Sequence, residues 1–408
     1  MQLLHLTDNL YKSLDEGKQF SAIYLDVSKY FDKIWHKGLL NKCQHEFGLS
    51  LSLLNWLCSY LKDREQKVKV GQSFSSTKKL NAGCPQGSVL GPLLALIYLN
   101  GLADKTTNDI LFFADDTSLY ASYQHHDTIP TQQSLQRDLD SIFNYGQDWL
   151  ITFNAEKTIL QTFSTRQNVD PPRLTFGGKS IQTNDTHKHL GLVFSKDLNF
   201  HEHINEIIRK INRTLSPIYP IASHLPRDTL AQIYTTYVQP HFDYCDTVYD
   251  GHLTISDIHR LQTLQNRAAR LVTGALFRTS TDRLLLDVGW NSLTVRRKIH
   301  RLIVYFKLRI RHQNIPNYTV SALPNTRSTD TGRTLRNSQD QSLPHARTSV
   351  YQRSFFPNTT KSWNQLPNSL RQITSTTTFK RELSQQLSVP KPPAFYSLGN
   401  KFGNTLHT

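Results

Sequence analysis

Ile110-Leu-Phe-Phe-Ala-Asp-Asp-Thr-Ser-Leu-Tyr120 decides how this chain of 408 residues folds. Its apolar start is broken by Ala114-Asp115-Asp116 and resumes at Thr117, so it reads as strand, turn, strand. Two adjacent acids at the tip of a hairpin repel and desolvate one another, and a cationic species should offset them. Upstream, Ser21-Ala-Ile-Tyr-Leu25 is another compact apolar run, and it ends at Asp26. With these strands side by side, three carboxylates converge at one sheet edge. Hard oxygen ligands of that kind suit Mg²⁺, and two such ions held about 3.5–4 Å apart favour in-line phosphoryl or nucleotidyl transfer. The competing reading makes each acid a solvated turn residue.

Working outward, residues 35–47 and 51–61 are amphipathic helical patterns, and Gln66-Lys-Val-Lys-Val70 alternates like a half-exposed strand. Pro85, Gly87, Gly91 and Pro92 punctuate the approach to an apolar, helix-length run over residues 89–102. Leu135, Leu139, Ile142 and Trp149 recur at helical spacing, and residues 160–163 read as a further strand. Beyond Pro171-Pro172 the pattern turns helical. Ile204, Ile207, Ile208, Ile211 and Leu215 make one stripe, and Ile258, Leu261, Leu264, Ala268 and Leu271 make another, with Ser256 placed to cap it. Residues 324–350 are polar and read as a long loop, and Pro390-Lys-Pro-Pro393 introduces a frayed tail.

Charge divides the chain. Residues 1–200 hold 20 basic and 20 acidic side chains, whereas residues 201–408 hold 27 and 12, so the whole net charge of +15 lies in the second half. A polyanionic partner is the natural reading of such asymmetry. The polar face of the helix around residue 264 carries Arg260, Arg267 and Arg270, and a further cluster begins at Arg296-Arg297. Cys43, Cys58, Cys84 and Cys245 are scattered and suggest neither a disulfide framework nor a zinc site. The greasiest stretch, residues 90–99, is about half a membrane span, and the expectation is an intracellular protein with no membrane partner.

Leu25-Asp-Val-Ser-Lys-Tyr-Phe-Asp32, Gly83-Cys-Pro-Gln-Gly-Ser-Val-Leu-Gly-Pro92 and Phe113-Ala-Asp-Asp116 resemble three successive palm motifs of reverse transcriptases. In order and spacing they are similar to the non-LTR retrotransposon branch. Asn154-Ala-Glu-Lys157, His189-Leu-Gly-Leu192, Leu264-Gln-Asn-Arg-Ala-Ala-Arg270 and Trp363-Asn-Gln-Leu-Pro367 extend the likeness. It implies an α+β fold with a right-hand polymerase palm, an antiparallel sheet with packed helices, followed by a mainly helical thumb-like and basic C-terminal region. The implied division is residues 1–195 as palm with partial fingers, 196–255 as a thumb-like region and 256–408 as the basic region.

The implied partners are an RNA template, a DNA primer and deoxynucleoside triphosphates, with work in the nucleus at a site of integration. Asp26, Asp115 and Asp116 take the role of binding two Mg²⁺ ions, with Mn²⁺ as a substitute. Phe31 takes that of a gate against the ribose 2′-hydroxyl, with a core aromatic as the competing reading. Gln86 and Gly87 lie against nucleotide and template, or else form an ordinary turn. Lys157 protonates pyrophosphate, or else is a solvated lysine. His189 and Gly191 belong to a primer-grip hairpin, and Arg260, Arg267, Arg270, Arg296 and Arg297 to a phosphate-holding face. Tyr305, Phe306, Phe355, Phe356 and Trp363 read as core, with base stacking as the other reading.

The likeness is incomplete at the N-terminus. Only 25 residues precede Asp26, so most of the family's fingers, which grip the triphosphate, are expected to be missing, as are an endonuclease and a Cys/His knuckle. An N-terminally truncated copy follows, with apolar sheet surface left bare. The alternative to a polymerase is then a noncatalytic nucleic-acid-binding remnant. A metal phosphohydrolase is weaker still, since the motifs contain no water-activating base.

Overall fold

Strand β1 (Gln19–Leu25) is buried along its whole length, because neighbours pair with both its edges and side chains cover both its faces. It runs antiparallel to β7 (Asp116–Tyr123) on one side and to β8 (Ile159–Phe163) on the other. Strand β6 (Asp109–Phe113) closes the hairpin with β7. A short strand, Gln182–Thr183, adds to β8 in parallel, so the five-stranded sheet is antiparallel except at this edge. The computed structural model describes residues 1–166, 169–311, 315–325 and 340–388. Residues 326–339 of the expected polar loop and the proline stretch 390–393 lie outside them.

The chain divides into two compact units, residues 16–190 and residues 3–15 together with 191 onward. In the first, alternation on β1 sends Ile23 and Leu25 into a core completed by Leu119, Leu160 and one face of a long helix, α6 (Thr128–Asp148). Leu135, Leu139 and Ile142 of α6 are fully buried, which is what their spacing demands. Phe20 and Tyr24 point the other way, where Phe20 stacks on Tyr120 and Tyr24 on His187. Three helices join α6 on the core side: α3 (His36–His45), α4 (Leu51–Leu61) and α5 (Leu90–Leu99). Bare apolar side chains lie on the sheet and on the helices alike: Phe113 at the end of β6, Trp56 on α4, and Leu93 and Leu96 on α5 are exposed.

The segment 66–70 departs from the expected continuous strand. It breaks into β2 (Arg64–Gln66) and β3 (Lys69–Val70), which pair with β5 (Lys78–Leu80) and β4 (Ser73–Phe74) respectively. The cause is a bulge: three residues, 75–77, face two, 67–68. Both faces of this double hairpin are exposed.

Among the described residues, the second unit is helical apart from strand Leu192–Ser195. Its core joins Leu302, Tyr305 and Phe306 to Phe355, Phe356, Trp363 and Phe379, so these aromatics are interior. Helix α1 (Gln2–Asp15) belongs to this unit, although in sequence it adjoins the first. Leu4 enters the same core, Tyr11 stacks on His252, and the Asp15 carboxylate accepts hydrogen bonds from the backbone N–H groups of Arg347 and Thr348. Helix Ile255–Thr273 is capped by Thr254 and not by Ser256. The Thr254 hydroxyl oxygen accepts from the Asp257 N–H, leaving Ser256 inside the first turn. No helix among the described residues is long and apolar enough to cross a membrane.

Lys42 of α3 is 1% exposed and meets no carboxylate among the described residues. Its ammonium donates instead to the carbonyls of Tyr98 (3.0 Å) and Asn100 at the end of α5, and to the Tyr145 hydroxyl at 2.6 Å, and it lies 4.1 Å from the centre of the Trp149 ring. It therefore satisfies carbonyls that a helix terminus leaves unpaired. Burial pushes its pKa down to about 8, against a smaller upward pull from Glu46. Between that value and its unfolded value near 10.4 the folded chain binds fewer protons than the unfolded one, so stability rises with pH across this window. Below pH 8 the cost of the buried charge is felt in full. Urea denaturation at pH 7.5 and pH 9.0 should show wild type gaining about 1 kcal/mol more than Lys42→Met on the move to higher pH.

Candidate active site

The register that pairs Leu25 with Thr117 brings Asp26, the next residue, beside Asp116 at the end of β7. Phe113 pairs with Asp116, which leaves Ala114 and Asp115 as the whole turn. Ala114 adopts φ 54, a left-handed conformation that costs an alanine roughly 1–2 kcal/mol and persists where surrounding structure enforces it. Loss of hydration raises the Asp116 carboxyl above the ordinary carboxylate range, and the Asp115 and Asp26 carboxylates raise it further. An anionic group destabilised by two anionic neighbours is the electrostatic setting that a divalent cation relieves. The donor set, carboxylate oxygen alone, also fits a hard cation such as Mg²⁺.

Lys157 reaches this edge through a loop stitched to the residues after β1. The Asn154 N–H donates to the Asp26 carbonyl at 2.8 Å, the Ser28 N–H to the Thr152 carbonyl at 2.8 Å, and the Lys157 N–H back to the Asn154 carbonyl at 3.2 Å. The Lys157 ammonium then stands 3.6 Å from the Asp26 carboxylate and remains mostly exposed. A cation free to move on a long stem beside an acid edge can deliver a proton there.

Phe31 lies on the short helix α2 (Tyr30–Lys33), partly buried and edge-on to Tyr30. The glycine-rich segment docks against α2. The Cys84 N–H donates to the Phe31 carbonyl and the Gly83 N–H to the Ile34 carbonyl, both at 2.9 Å, while His36 Nε2 lies 2.8 Å from the Gly83 carbonyl. Gly83 has φ +88, and a Cβ there would stand 2.8 Å from the Asp32 carbonyl, so only glycine allows this approach. Gln86 is exposed and donates its amide to Asp32 Oδ1 at 2.8 Å. Gly87 is also exposed, with φ +80 and open space around it. The Tyr30 hydroxyl donates to the Ala95 carbonyl of α5, tying the helix that follows this loop to α2. Asp32 went unremarked in the sequence beyond closing its motif; its spacing one residue after Phe31 was the available signal.

Several residues expected to grip nucleic acid are engaged elsewhere. His189 is 4% exposed, its ring 3.0 Å from the Ser118 hydroxyl and tilted over Tyr24. Burial, with a smaller contribution from His187, pushes it down to about 4, so it is neutral near pH 7. Gly191 turns the chain at φ 79, and a Cβ there would press on the Tyr244 ring at 3.1 Å. Arg260 is bound to Asp257 and Asn205. Arg296 forks onto Asp243, and Arg297, 3% exposed, pairs with Asp250. These three cations are thus paired within the helical unit, Arg297 buried and Arg260 and Arg296 partly exposed. Arg267 remains exposed, and Arg270 lies partly exposed beside the ring of Phe277. Among the described residues, Asp243, Asp246 and His300 also bring ligand atoms within 4.8 Å of one another. Arg296 and His300 already pair with those carboxylates, so the cluster reads as an ion-pair lattice.

Residues 4–194 match the family described as reverse transcriptase (RNA-dependent DNA polymerase). The chain is 28% identical over 326 residues to a probable RNA-directed DNA polymerase from transposon BS of Drosophila melanogaster, covering 77% of this chain and 35% of that protein. It is 29% identical over 286 residues to the RNA-directed DNA polymerase from mobile element jockey of the same fly, covering 67% and 30%. A telomerase structure from Candida albicans, in complex with a fragment of telomeric RNA, aligns with 78% of this chain and 53% of its own at 12% identity and a TM-score of 0.31. With the site's motifs in their order, these matches support a reverse transcriptase of the non-LTR retrotransposon kind, with the family match falling on residues 4–194. Within that kind it is similar to the fly elements just named, and it spans about a third of the length of these curated relatives.

The two glycines of the docked loop should respond differently to a methyl group. Gly83→Ala combines a left-handed φ with a clash against backbone and should lose about 2–4 kcal/mol in urea denaturation. Gly87→Ala, strained but unobstructed, should lose about 1 kcal/mol.

Proposed function

We propose that this chain extends a DNA primer on an RNA template, adding deoxynucleotides at the edge formed by Asp26, Asp115 and Asp116. The observation that carries the reading is the register of β1 on β7, which sets Asp26 beside Asp116 with the Lys157 ammonium 3.6 Å from Asp26. In the transfer, the primer 3′-hydroxyl gives its proton to solvent water and its oxygen attacks the α-phosphorus of the triphosphate. One P–O bond forms, the bond to pyrophosphate breaks, and Lys157 protonates the departing pyrophosphate. Asp26, Asp115 and Asp116 would hold Mg²⁺, two ions in this reading with Mn²⁺ able to substitute, and the metal would supply Lewis acidity to the transfer.

The protein's own residues do the rest. Phe31, seated on α2 next to the docked loop, occupies the space of a ribose 2′-hydroxyl. The exposed backbone at Gly87 lets a nucleotide approach closely, and Gln86 offers a donor and an acceptor. The helical residues 196–255 act as a thumb and residues 256–408 as an RNA-holding extension, with Arg267 and Arg270 as its phosphate contacts. The work takes place in the nucleus, at the site of integration.

Primer extension on an RNA template with Mg²⁺ and deoxynucleotides tests the reading. Asp115→Asn should lose synthesis by about a thousandfold or more, since several kcal/mol of charge stabilisation go with the carboxylate, while RNA affinity persists. Lys157→Ala should lose about a hundredfold or more, with partial recovery in Lys157→Arg. A wild-type chain that holds RNA yet extends nothing overturns the polymerase reading in favour of a noncatalytic nucleic-acid binder.

A further inference from the structure

Residues 1–200 carry no net charge, yet within them residues 62–80 gather six cations, Lys62, Arg64, Lys67, Lys69, Lys78 and Lys79, against the two acids Asp63 and Glu65. These are the residues of the double hairpin β2–β5 and β3–β4, and every residue from 65 to 79 is exposed. Core formation therefore explains neither the cations nor the alternation in Lys67-Val-Lys-Val70.

The geometry gives that alternation a use. Successive strand residues point to opposite faces, so Lys67 and Lys69 share one face while Val68 and Val70 share the other. Cross-strand pairing of Lys69 with Phe74 puts an aromatic ring on the cationic face. The Lys67 ammonium stands 4.8 Å and the Lys69 ammonium 5.3 Å from the centre of that ring, which is 56% exposed. Among the described residues neither ammonium meets a carboxylate. Glu65, the nearest acid in sequence, stands opposite Lys79 in the ladder. Gly71, with φ 58, supplies the left-handed residue that a two-residue hairpin turn needs and so holds the two strands in this register.

A bare ring flanked by two unpaired ammonium groups unites the two elements that hold single-stranded nucleic acid: cations for phosphates and a π-face for a base. The ring argues for a single strand over a duplex, because only a base free of its neighbours can stack on a side chain. We propose that residues 62–80 form a binding arm for single-stranded nucleic acid, in which Phe74 stacks on an unpaired base and Lys67 and Lys69 contact the adjoining phosphates. The proposal rests on the polymerase reading for the source of the strand, an RNA template.

The test is fluorescence anisotropy of the full chain with labelled 12-nucleotide RNA, 12-nucleotide DNA and a blunt duplex, from 50 to 300 mM salt. The double variant Lys67→Gln/Lys69→Gln should lower the slope of log affinity against log salt by about 1.4, two contacts at roughly 0.7 each. Phe74→Ala should weaken single-strand binding roughly 5- to 100-fold and leave the slope unchanged. Because these side chains are exposed, thermal unfolding should match wild type. RNA bound more tightly than DNA supports a template as the source, whereas equal affinity overturns that assignment. Affinity and slope unchanged in both variants overturn the arm and leave the hairpin to a protein partner. Equal losses on duplex and single strand overturn the stacking role of Phe74. The two readings fail separately: arm-dependent binding without extension in wild type sinks only the polymerase, and extension with arm-independent binding sinks only the arm.

Discussion

The pairing of β1 with β7 is the constraint on which the site depends. A strand has a side-chain period of two, so a slip of one residue would turn Ile23 and Leu25 out of the core and move Asp26 away from Asp116. The slip is prevented because β1 is buried on both faces and bound at both edges, with Ser21 hydrogen-bonded to Tyr123 on β7 and to Thr162 on β8. Packing far from the acids thus sets the acids. The loop that carries Lys157 inherits the same frame, since its hydrogen bonds run to the backbone just beyond β1.

A second anchor lies behind the glycine-rich loop. Gly83 is pressed onto α2, Gln86 is tied to Asp32, and α5 is held by the Tyr30 hydroxyl near its middle and by the Lys42 ammonium at its end. The loop therefore joins two fixed bodies. Its exposed residues, Gln86 and Gly87, stand on a rigid base, an arrangement that suits groups expected to meet a substrate.

How much of this is legible in the sequence depends on the range of the interaction. The hairpin at residues 110–120, the strand before Asp26 and the face of α6 follow from apolar periodicity, which is local. The Thr254 cap lies two residues from the expected Ser256 because several hydroxyls compete at that boundary and only backbone geometry selects one. Long-range pairing leaves no local trace. Arg260, Arg296 and Arg297 count toward net charge like any other cation, yet Asp257, Asp243 and Asp250 consume them. Conversely, a stretch inside the neutral half holds an excess of cations that an average over 200 residues conceals. Lys42 was invisible for the same reason, since its partners are carbonyls more than fifty positions away.

Helix α1 bears on how the chain is made. Its acid Asp15 is hydrogen-bonded to backbone 332 positions further on, while residues 16–190 form a unit that does not include it. During synthesis, which runs at about 5–20 residues per second, that unit can close while the first helix still waits for partners not yet translated. The wait lasts tens of seconds, and through it Leu4, Leu6, Leu10 and Tyr11 remain an uncovered apolar stripe. Helix α1 is therefore translated ahead of residues 16–190 yet buried after them, and chaperone capture is most useful there.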